Sequence, residues 1–198
     1  MRNTAKPRLV VISGMPGSGK STLARTLANT VDLPVLSRDE IYAGLFQTCK
    51  GERSQPHDLA QTANTALREC ARLLLNAGVP VIIEAAFQQK LWQVVLESLL
   101  PLADVRVVRC VIEPELALQR MVRRLDQFPE QRAAHHDAQY IRERIGQTTP
   151  WPHFDAISLG VPTMDVETAD GYLPSLETVA SFVSTQRFSL TMGGCPDQ

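Results

Sequence analysis

The residues with the clearest chemical purpose form one short run near the amino terminus, between an apolar segment and a helix-like one. They are Gly14, Met15, Pro16, Gly17, Ser18, Gly19, Lys20, Ser21 and Thr22, and the first eight have the spacing G-x-x-x-x-G-K-S. Glycine accepts positive φ, so backbone N–H groups can close around a phosphate at a helix start. The run predicts a phosphate-binding loop, with Lys20 on the β- and γ-phosphates and the Ser21 hydroxyl on Mg²⁺. A glycine-rich turn without a ligand is the alternative.

A second candidate, Asp39, follows the second apolar strand segment. Ser37 and Glu40 have the spacing of a capping box, which predicts that Ser37 caps a helix whose first turn contains Asp39. In a doubly wound domain, Asp39 would also project from the carboxyl edge of the sheet toward the γ-phosphate. An ionised carboxylate there can orient an acceptor hydroxyl and accept its proton. We interpret Asp39 as a catalytic base, a role compatible with the helix start.

Glu84 is the third candidate, because it ends the apolar run Val81 to Ile83. An acid at the end of an apolar strand has the form of a Walker-B carboxylate, which holds Mg²⁺ or its water shell. Two alternatives stay open: Glu84 binds the hydroxyl groups of the acceptor, or it is an exposed acid just past a buried strand. The metal hypothesis therefore pairs Ser21 with Glu84.

Two arginines, Arg120 and Arg124, lie four residues apart and therefore on one face of a helix. An arginine pair that closes over a nucleotide neutralises charge on the transferring phosphoryl group and excludes water. The region from about residue 114 to 150 is predicted to be a helical lid that carries this pair. The sequence leaves open which arginine contacts the phosphates, and a solvated helix face is the alternative.

Apolar and amphipathic segments alternate along the chain and predict its elements. Strands are predicted at Arg8–Ser13, Pro34–Ser37, Val79–Glu84, Val105–Ile112, Ala156–Leu159 and Thr163–Glu167. Helices are predicted at Lys20–Thr30, Asp39–Phe46, His57–Ala77, Gln89–Leu100, Pro114–Leu125, Asp137–Gly146 and Leu173–Phe188. This alternation indicates a largely parallel sheet with helices on both faces, and ligands of such sheets bind beyond the carboxyl ends of the strands.

Size and composition favour a single domain, predicted at residues 1–190 with a tail at 191–198. The chain has 198 residues, 44% of them hydrophobic, and 20 Lys and Arg residues against 21 Asp and Glu. This balance provides no general attraction for a polyanion. No metal-ligand spacing joins the four cysteines, Cys49, Cys70, Cys110 and Cys195. Because no apolar run approaches the length of a membrane span either, we expect a reducing, cytoplasmic location without a membrane partner.

Three of these segments together resemble one family. The loop Gly14 to Thr22, the step Ser37-Arg38-Asp39-Glu40 and the strand end Glu84-Ala85-Ala86-Phe87 resemble the P-loop kinase group of polynucleotide 5′-hydroxyl kinases, chloramphenicol phosphotransferases and AAA_33 proteins. The segment Glu115 to Arg124 resembles the lid helix of that group. The segment Val166 to Tyr172 resembles its late strand and nucleotide-base loop.

This resemblance implies an α/β fold of the P-loop NTPase type, similar to the nucleoside and nucleotide kinases. Such a fold has three α/β/α layers, a central five-stranded parallel sheet and a helical lid. The resemblance also implies ATP with Mg²⁺ as the phosphoryl donor, Asp39 as the base and a lid arginine on the phosphates.

Two departures from the polynucleotide kinases bear on the acceptor. Those kinases typically have an arginine for nucleic-acid phosphate three positions after the catalytic aspartate, whereas this chain has Tyr42. Their Asp-Thr-Asn type of strand end is replaced by Glu84 and the residues after it. With the near-zero net charge, these differences favour a small hydroxylated molecule over a nucleic acid. Phe46, Phe87 and Trp92 could line such a molecule, although aromatic residues at these spacings are more typical of a core.

The leading hypothesis is therefore a kinase that transfers the γ-phosphate of ATP to a hydroxyl of a small-molecule acceptor. A polynucleotide 5′-hydroxyl kinase is one alternative. A nucleotide-dependent switch or binding protein without an acceptor is another. A monomer and a homodimer are both compatible with these hypotheses.

Overall fold

The structure, a computed structural model, describes residues 6–49, 56–127, 141 and 154–185. The elements in these ranges, numbered along the chain, are β1 (Arg8–Gly14), α1 (Lys20–Val31), β2 (Val35–Ser37), α2 (Arg38–Thr48), α3 (Pro56–Asn76), β3 (Val81–Glu84), α4 (Gln89–Glu97), a 3₁₀ turn (Leu100–Leu102), β4 (Asp104–Val111), α5 (Pro114–Gln127), β5 (Thr163–Glu167) and α6 (Leu176–Ser184).

One sheet contains the five described strands in the order β2, β3, β1, β4, β5, and every neighbouring pair is parallel. The central strand β1 pairs with β3 on one side and β4 on the other. Parallel strands need crossover connections, and the helices between them supply these connections. The predicted five-stranded parallel sheet is confirmed, with all carboxyl ends at one edge.

The core lies on both faces of this sheet because successive side chains of a strand point to opposite faces. In β1, Leu9 and Val11 pack on one face against the cluster that contains residues of α3 and α4. Val10 and Ile12 pack on the other face with residues of α1 and α6. The three α/β/α layers follow, and β1 is buried on both sides, as its nearly continuous apolar sequence predicts.

One predicted strand is wrong. The segment Ala156–Leu159 makes a single antiparallel bridge, to Gln88, and forms no strand of the sheet. The Gln89 amide donates to the Asp155 carbonyl at 2.9 Å. Ile157 is fully buried in the core cluster on the α3 and α4 side. The segment is therefore apolar because it packs beneath the link between β3 and α4.

Two predicted helices differ from the observed ones at positions governed by proline. The predicted helix Gln89–Leu100 ends at Glu97 and is followed by the 3₁₀ turn, which contains Pro101. Pro101 has no N–H to donate to the Glu97 carbonyl and its ring crowds that carbonyl, so the α-helix does not continue through it. The helix predicted at Leu173–Phe188 begins at Leu176, two residues beyond Pro174, and ends at Ser184, because Thr185 is already extended.

The other predicted elements agree with the structure to within two residues wherever it describes them. Of the predicted helix Asp137–Gly146, the described part is Ile141, which is helical. The rest of that helix, the end of the predicted lid and the tail at 191–198 lie outside the described residues. Within the described ranges, no helix has both the length and the apolar character needed to cross a membrane.

Candidate active site

The predicted phosphate loop connects the central strand β1 to helix α1. Gly17 and Gly19 have φ of 82° and 81°, a region that residues with a Cβ rarely occupy. Gly19 is also the residue before α1, so the loop runs directly into the helix start at Lys20. This arrangement directs backbone N–H groups and the positive end of the α1 dipole toward one place beyond the sheet edge.

Helix α5 packs directly on this loop. A Cβ added to Gly17 would collide with the carbonyl group of Ala117, which is fully buried in α5. Met15 packs beside it against an apolar cluster of Leu118, Met121, Val122, Ile141 and Phe154. The start of the predicted lid is therefore part of the packed core and not a separate flap.

Lys20, Ser21 and Glu84 converge at the carboxyl edge. Glu84 is the last residue of β3 and pairs in register with Ile12 of β1, close to where the loop begins. The Ser21 hydroxyl donates to Glu84 Oε1 at 3.1 Å, and Lys20 Nζ lies 3.8 Å from the same oxygen. Glu84 is 1% exposed and Lys20 is 6% exposed. The alternative of an exposed acid past the strand is therefore wrong.

Ser37 is the fourth member of this cluster, although the sequence predicted it as the cap of α2. Its hydroxyl donates to Glu84 Oε2 at 2.8 Å, and its side chain makes no capping hydrogen bond to α2. Glu40 pairs with Arg25 on the surface, at 2.6 Å. The predicted capping box is therefore wrong. A buried carboxylate oxygen costs more to leave unpaired than a helix-end N–H that water can reach, so the hydroxyl bonds to Glu84.

Asp39 lies in the first turn of α2, two residues beyond Ser37 at the carboxyl edge. Its side chain is 42% exposed, and its Oδ1 accepts a hydrogen bond from Arg38 Nη1 at 3.2 Å. Arg38 also donates to Asn64 Oδ1 at 3.1 Å and lies 5.0 Å from the centre of the Tyr42 ring. The sequence reasoning missed Arg38 as a residue that contacts the candidate base. Its place directly beside Asp39 is a signal that could have found it.

A cleft of about 450 Å³ opens beside the loop. Its volume falls in the range of small-ligand sites. It is lined by Gly17, Gly19, Lys20, Ser21, Thr22, Arg120, Met121, Arg124, Thr168, Gly171 and Tyr172. Both predicted lid arginines thus share a cleft with the predicted phosphate loop.

Arg120 and Thr168 connect the three segments that line this cleft, which are helix α5, the loop after β5 and the phosphate loop. Arg120 Nη2 donates to the carbonyl oxygens of Thr168 and Ala169, each at 2.7 Å. The buried Thr168 hydroxyl lies 2.7 Å from the Ser18 carbonyl oxygen of the loop, to which it donates. Thr168 was missed as a single residue, although the segment around it matched the nucleotide-base loop of the resembled group. No motif marks its hydroxyl, because its partner is a backbone atom distant in sequence.

The three aromatic residues considered for an acceptor wall pack in hydrophobic clusters. Phe87 and Trp92 are buried and pack edge to face, with ring centroids 4.8 Å apart. Phe46 packs in a different cluster, beside Tyr42 and Leu59 between α2 and α3. The interpretation as core residues is confirmed for Phe87 and Trp92, whereas Phe46 is only partly buried.

Cys110 lies near the phosphate loop, but its buried thiol is not in the reactive thiolate form. Cys110 lies in β4, pairs in register with Gly14 of β1 and is 4% exposed. Burial raises the pKa of its thiol to about 12, although the nearby Lys20 charge acts in the opposite direction. The thiol is therefore protonated at neutral pH.

The donor atoms at the edge suit a hard divalent cation. Ser21 offers a hydroxyl oxygen and Glu84 a carboxylate, and oxygen ligands of this kind are those that Mg²⁺ takes together with phosphate oxygens and water. The buried Ser18 hydroxyl has no hydrogen-bond partner among the residues that the structure describes. The residues present thus fit a magnesium–nucleotide site.

The chain is similar to known proteins in sequence. The model of the AAA_33 family, described as an AAA domain, matches residues 9–144. An uncharacterized protein of Mycobacterium tuberculosis, Rv2004c, is 38% identical over 93 residues, which cover 42% of this chain and 18% of that protein. This chain therefore matches less than a fifth of the length of the curated relatives.

Solved structures share the fold. A candidate kinase from Chloroflexus aurantiacus has a TM-score of 0.72 at 24% identity, covering 91% of this chain and 96% of that one. A sugar kinase from Janibacter has a TM-score of 0.60 at 18% identity, covering 89% and 94%. Kti12 from Chaetomium thermophilum, solved with ADP-AlF3, has a TM-score of 0.59 at 18% identity, covering 89% and 100%. These likenesses show that the fold is that of the P-loop kinases.

Proposed function

The chain belongs to the AAA_33 family, and we propose that it is an ATP-dependent kinase that transfers the γ-phosphate to a hydroxyl group of a small molecule. The observation that carries the proposal is the convergence of Lys20, Ser21 and Glu84 at the phosphate loop. Asp39 follows β2 at the same sheet edge. The neighbours of this fold support it, since one is a sugar kinase and another was solved with ADP-AlF3.

ATP is the donor substrate in this proposal. Loop amides and Lys20 bind its phosphates, and the cleft beside Thr168 and Tyr172 takes the nucleoside. Ser21 and Glu84 would hold Mg²⁺, which supplies positive charge to the phosphate oxygens when bound. Burial of Lys20 and Glu84 keeps both side chains in place and strengthens their action on the phosphates.

Asp39 acts on the acceptor. Its carboxylate orients the acceptor hydroxyl and takes the proton as the hydroxyl oxygen bonds to the γ-phosphorus. The bond between that phosphorus and the β,γ-bridging oxygen breaks, and ADP leaves with the electron pair. Arg38 holds Asp39 Oδ1 on one side, so the other carboxylate oxygen serves the substrate.

The two lid arginines divide the work. Arg120 holds the backbone of the loop after β5 and so shapes the nucleoside side of the cleft. Arg124 lies one turn further along α5 in the same cleft and contacts the transferring phosphoryl group.

The test is a phosphorylation screen with the purified chain. Mg-ATP is combined with sugars, sugar acids, nucleosides and hydroxylated antibiotics, and products are examined for ADP and for the mass of one added phosphoryl group. One further reaction contains a 5′-hydroxyl oligonucleotide and another contains no acceptor. The expected result is a phosphorylated small molecule whose formation is lost in Lys20→Ala.

The other outcomes would contradict the proposal in distinct ways. An added phosphoryl group on the oligonucleotide alone would indicate a polynucleotide kinase. ATP hydrolysis that no acceptor stimulates would indicate a switch or binding protein. Absence of heat and of thermal protection with saturating Mg-ATP and Mg-GTP would remove the nucleotide site itself.

A further inference from the structure

We propose that Ser37 is a positioning residue that fixes the Glu84 carboxylate for Mg-nucleotide binding, an inference that rests on the proposed function. The sequence pattern predicts a helix cap at this position, yet the hydroxyl contacts Glu84 and makes no cap bond. Ser37 touches neither ATP nor acceptor in this proposal. It acts through the carboxylate that it holds.

The two oxygens of Glu84 have different partners. Oε2 accepts the Ser37 hydroxyl at 2.8 Å. Oε1 accepts the Ser21 hydroxyl at 3.1 Å and lies 3.8 Å from Lys20 Nζ. The Ser37 contact therefore leaves one carboxylate oxygen facing the two loop residues assigned to metal and phosphate.

Because Glu84 is buried, the different roles of its two oxygens depend on Ser37. Glu84 is 1% exposed and Ser37 is 7% exposed. Bulk water has little access to Oε2, so a missing hydroxyl would leave a buried carboxylate oxygen without a partner. The carboxylate would then rotate out of the orientation in which Oε1 faces the proposed metal site.

The sheet holds the donor in place. Ser37 and Glu84 are paired in register at the ends of β2 and β3, so both backbone positions are set by strand hydrogen bonds. A serine side chain has a single heavy-atom rotation, and its hydroxyl loses little entropy when it bonds. Contacts of this kind orient metal ligands, and their loss typically weakens metal binding about 10- to 100-fold.

The same hydrogen bond links the two halves of the site. Ser37 directly precedes Arg38 and Asp39, which begin α2 on the acceptor side. Glu84 contacts the phosphate loop on the nucleotide side. The Ser37–Glu84 contact is therefore a short connection between the candidate base and the candidate metal ligand.

The experiment measures binding of a fluorescent ADP analogue at a series of Mg²⁺ concentrations, together with thermal unfolding. We expect Ser37→Ala to weaken Mg²⁺-dependent binding about tenfold and to leave binding without Mg²⁺ within about twofold of wild type. Ser37→Thr keeps the hydroxyl and should restore the Mg²⁺ dependence. Loss of Mg²⁺ dependence that Ser37→Thr does not restore would overturn the assignment to the hydroxyl.

Ser13→Ala is the matched control. Ser13 is a buried serine near the end of β1, which lies on the other side of β3 from β2, and its hydroxyl donates to the Phe87 carbonyl at 2.9 Å. Ser13→Ala should lower the unfolding temperature about as much as Ser37→Ala does, without a selective effect on the Mg²⁺ dependence of nucleotide binding. An equal change in Mg²⁺ dependence in both variants would show a general packing effect and overturn the inference.

The outcomes separate this inference from the proposed function. Wild-type Mg²⁺ dependence in folded Ser37→Ala would overturn the inference and leave the kinase proposal intact. Absence of Mg-nucleotide binding in the wild type would overturn both. If Ser37→Ala does not fold, Ser37→Cys keeps the side-chain size with a weaker donor. An intermediate Mg²⁺ dependence in that variant supports the inference and a wild-type one contradicts it.

Discussion

Two carboxylates at the same sheet edge, Glu84 and Asp39, lie in opposite surroundings. Glu84 ends an inner strand, is 1% exposed and has Ser21, Ser37 and Lys20 around it. The Asp39 side chain is 42% exposed and accepts a hydrogen bond from its neighbour Arg38. The proposed nucleotide side of the site is thus assembled within the core, whereas the proposed acceptor side faces solvent.

Under the proposed function, the difference between the two carboxylates reflects the ligand that each side of the site has to recognise. A triphosphate with a metal ion has constant charge and shape, so fixed buried groups serve it well. An acceptor must enter and leave, and its hydroxyl has to reach the base from solvent. We therefore expect substitutions on the nucleotide side to impair nucleotide binding, and those on the acceptor side to impair transfer alone.

The largest expected effect is that of Lys20→Ala. Loss of the buried ammonium removes charge stabilisation of the phosphates and leaves Glu84 with one cation fewer. ATP turnover should fall about 10³-fold, as judged by ADP release. The exposed Lys90 on α4 provides the control, because Lys90→Ala should keep full turnover. Equal rates in Lys20→Ala and wild type would remove the phosphate assignment.

Matched amide substitutions test the comparison of the carboxylates directly. Asp39→Asn should lower transfer about 10²-fold and leave ADP affinity unchanged, because a base is lost but no nucleotide contact. Glu84→Gln should weaken binding of the Mg-nucleotide, measured by calorimetry with and without Mg²⁺. The contrast disappears if both variants lose nucleotide affinity equally, and full activity in Asp39→Asn would exclude it as the base.

Substitutions of the two lid arginines should change different kinetic parameters. Arg120→Ala removes the hydrogen bonds to the Thr168 and Ala169 carbonyls, which should cost about 2 kcal/mol of unfolding free energy and raise the KM for ATP. Arg124→Ala should lower kcat about tenfold, with a smaller effect on KM. Steady-state kinetics and thermal unfolding measure both. A kcat defect confined to Arg120→Ala would exchange the two roles.

The smallest effect is expected from alkylation of cysteines. Cys110 is buried beside the phosphate loop with a pKa raised to about 12 by burial, whereas Cys70 is exposed on α3. Because the thiolate is the reactive form, iodoacetamide at pH 8 should modify Cys70 and spare Cys110 until the chain is denatured. Nucleotide binding should survive the treatment. Rapid labelling of Cys110 in the native protein would show that the nucleotide side is more open than the structure indicates.

Local signals explain what could be predicted. The glycines of the loop need conformations that few other residues adopt, and β1 and β3 are apolar because both faces of the sheet are covered. Such patterns predicted the parallel sheet, the loop and the approach of Ser21 to Glu84. They missed the helix ends near Pro101 and Pro174 by three residues. The hydrophobic pattern continues past each proline, whereas the helix does not.

The contacts that distinguish this site from its motif could not be predicted in the same way. Ser37 matched a helix cap as well as it matched any other role, and Arg120 matched a phosphate ligand. Their partners, Glu84 and the carbonyls after β5, are 47 or more residues distant along the chain. The pattern around a residue does not include a partner that only the sheet order brings near.

The amino-acid sequence by itself determined the phosphate loop, the alternation of strands and helices, and the acids at the strand ends, since each depends on neighbours within a few positions. Tertiary structure alone decided which carboxylate is buried and which is open, and which hydroxyl holds Glu84. The physical reason is that burial and hydrogen-bond choice depend on the surrounding dielectric and on competing partners. Both arise only when β2, β3 and β1 lie side by side.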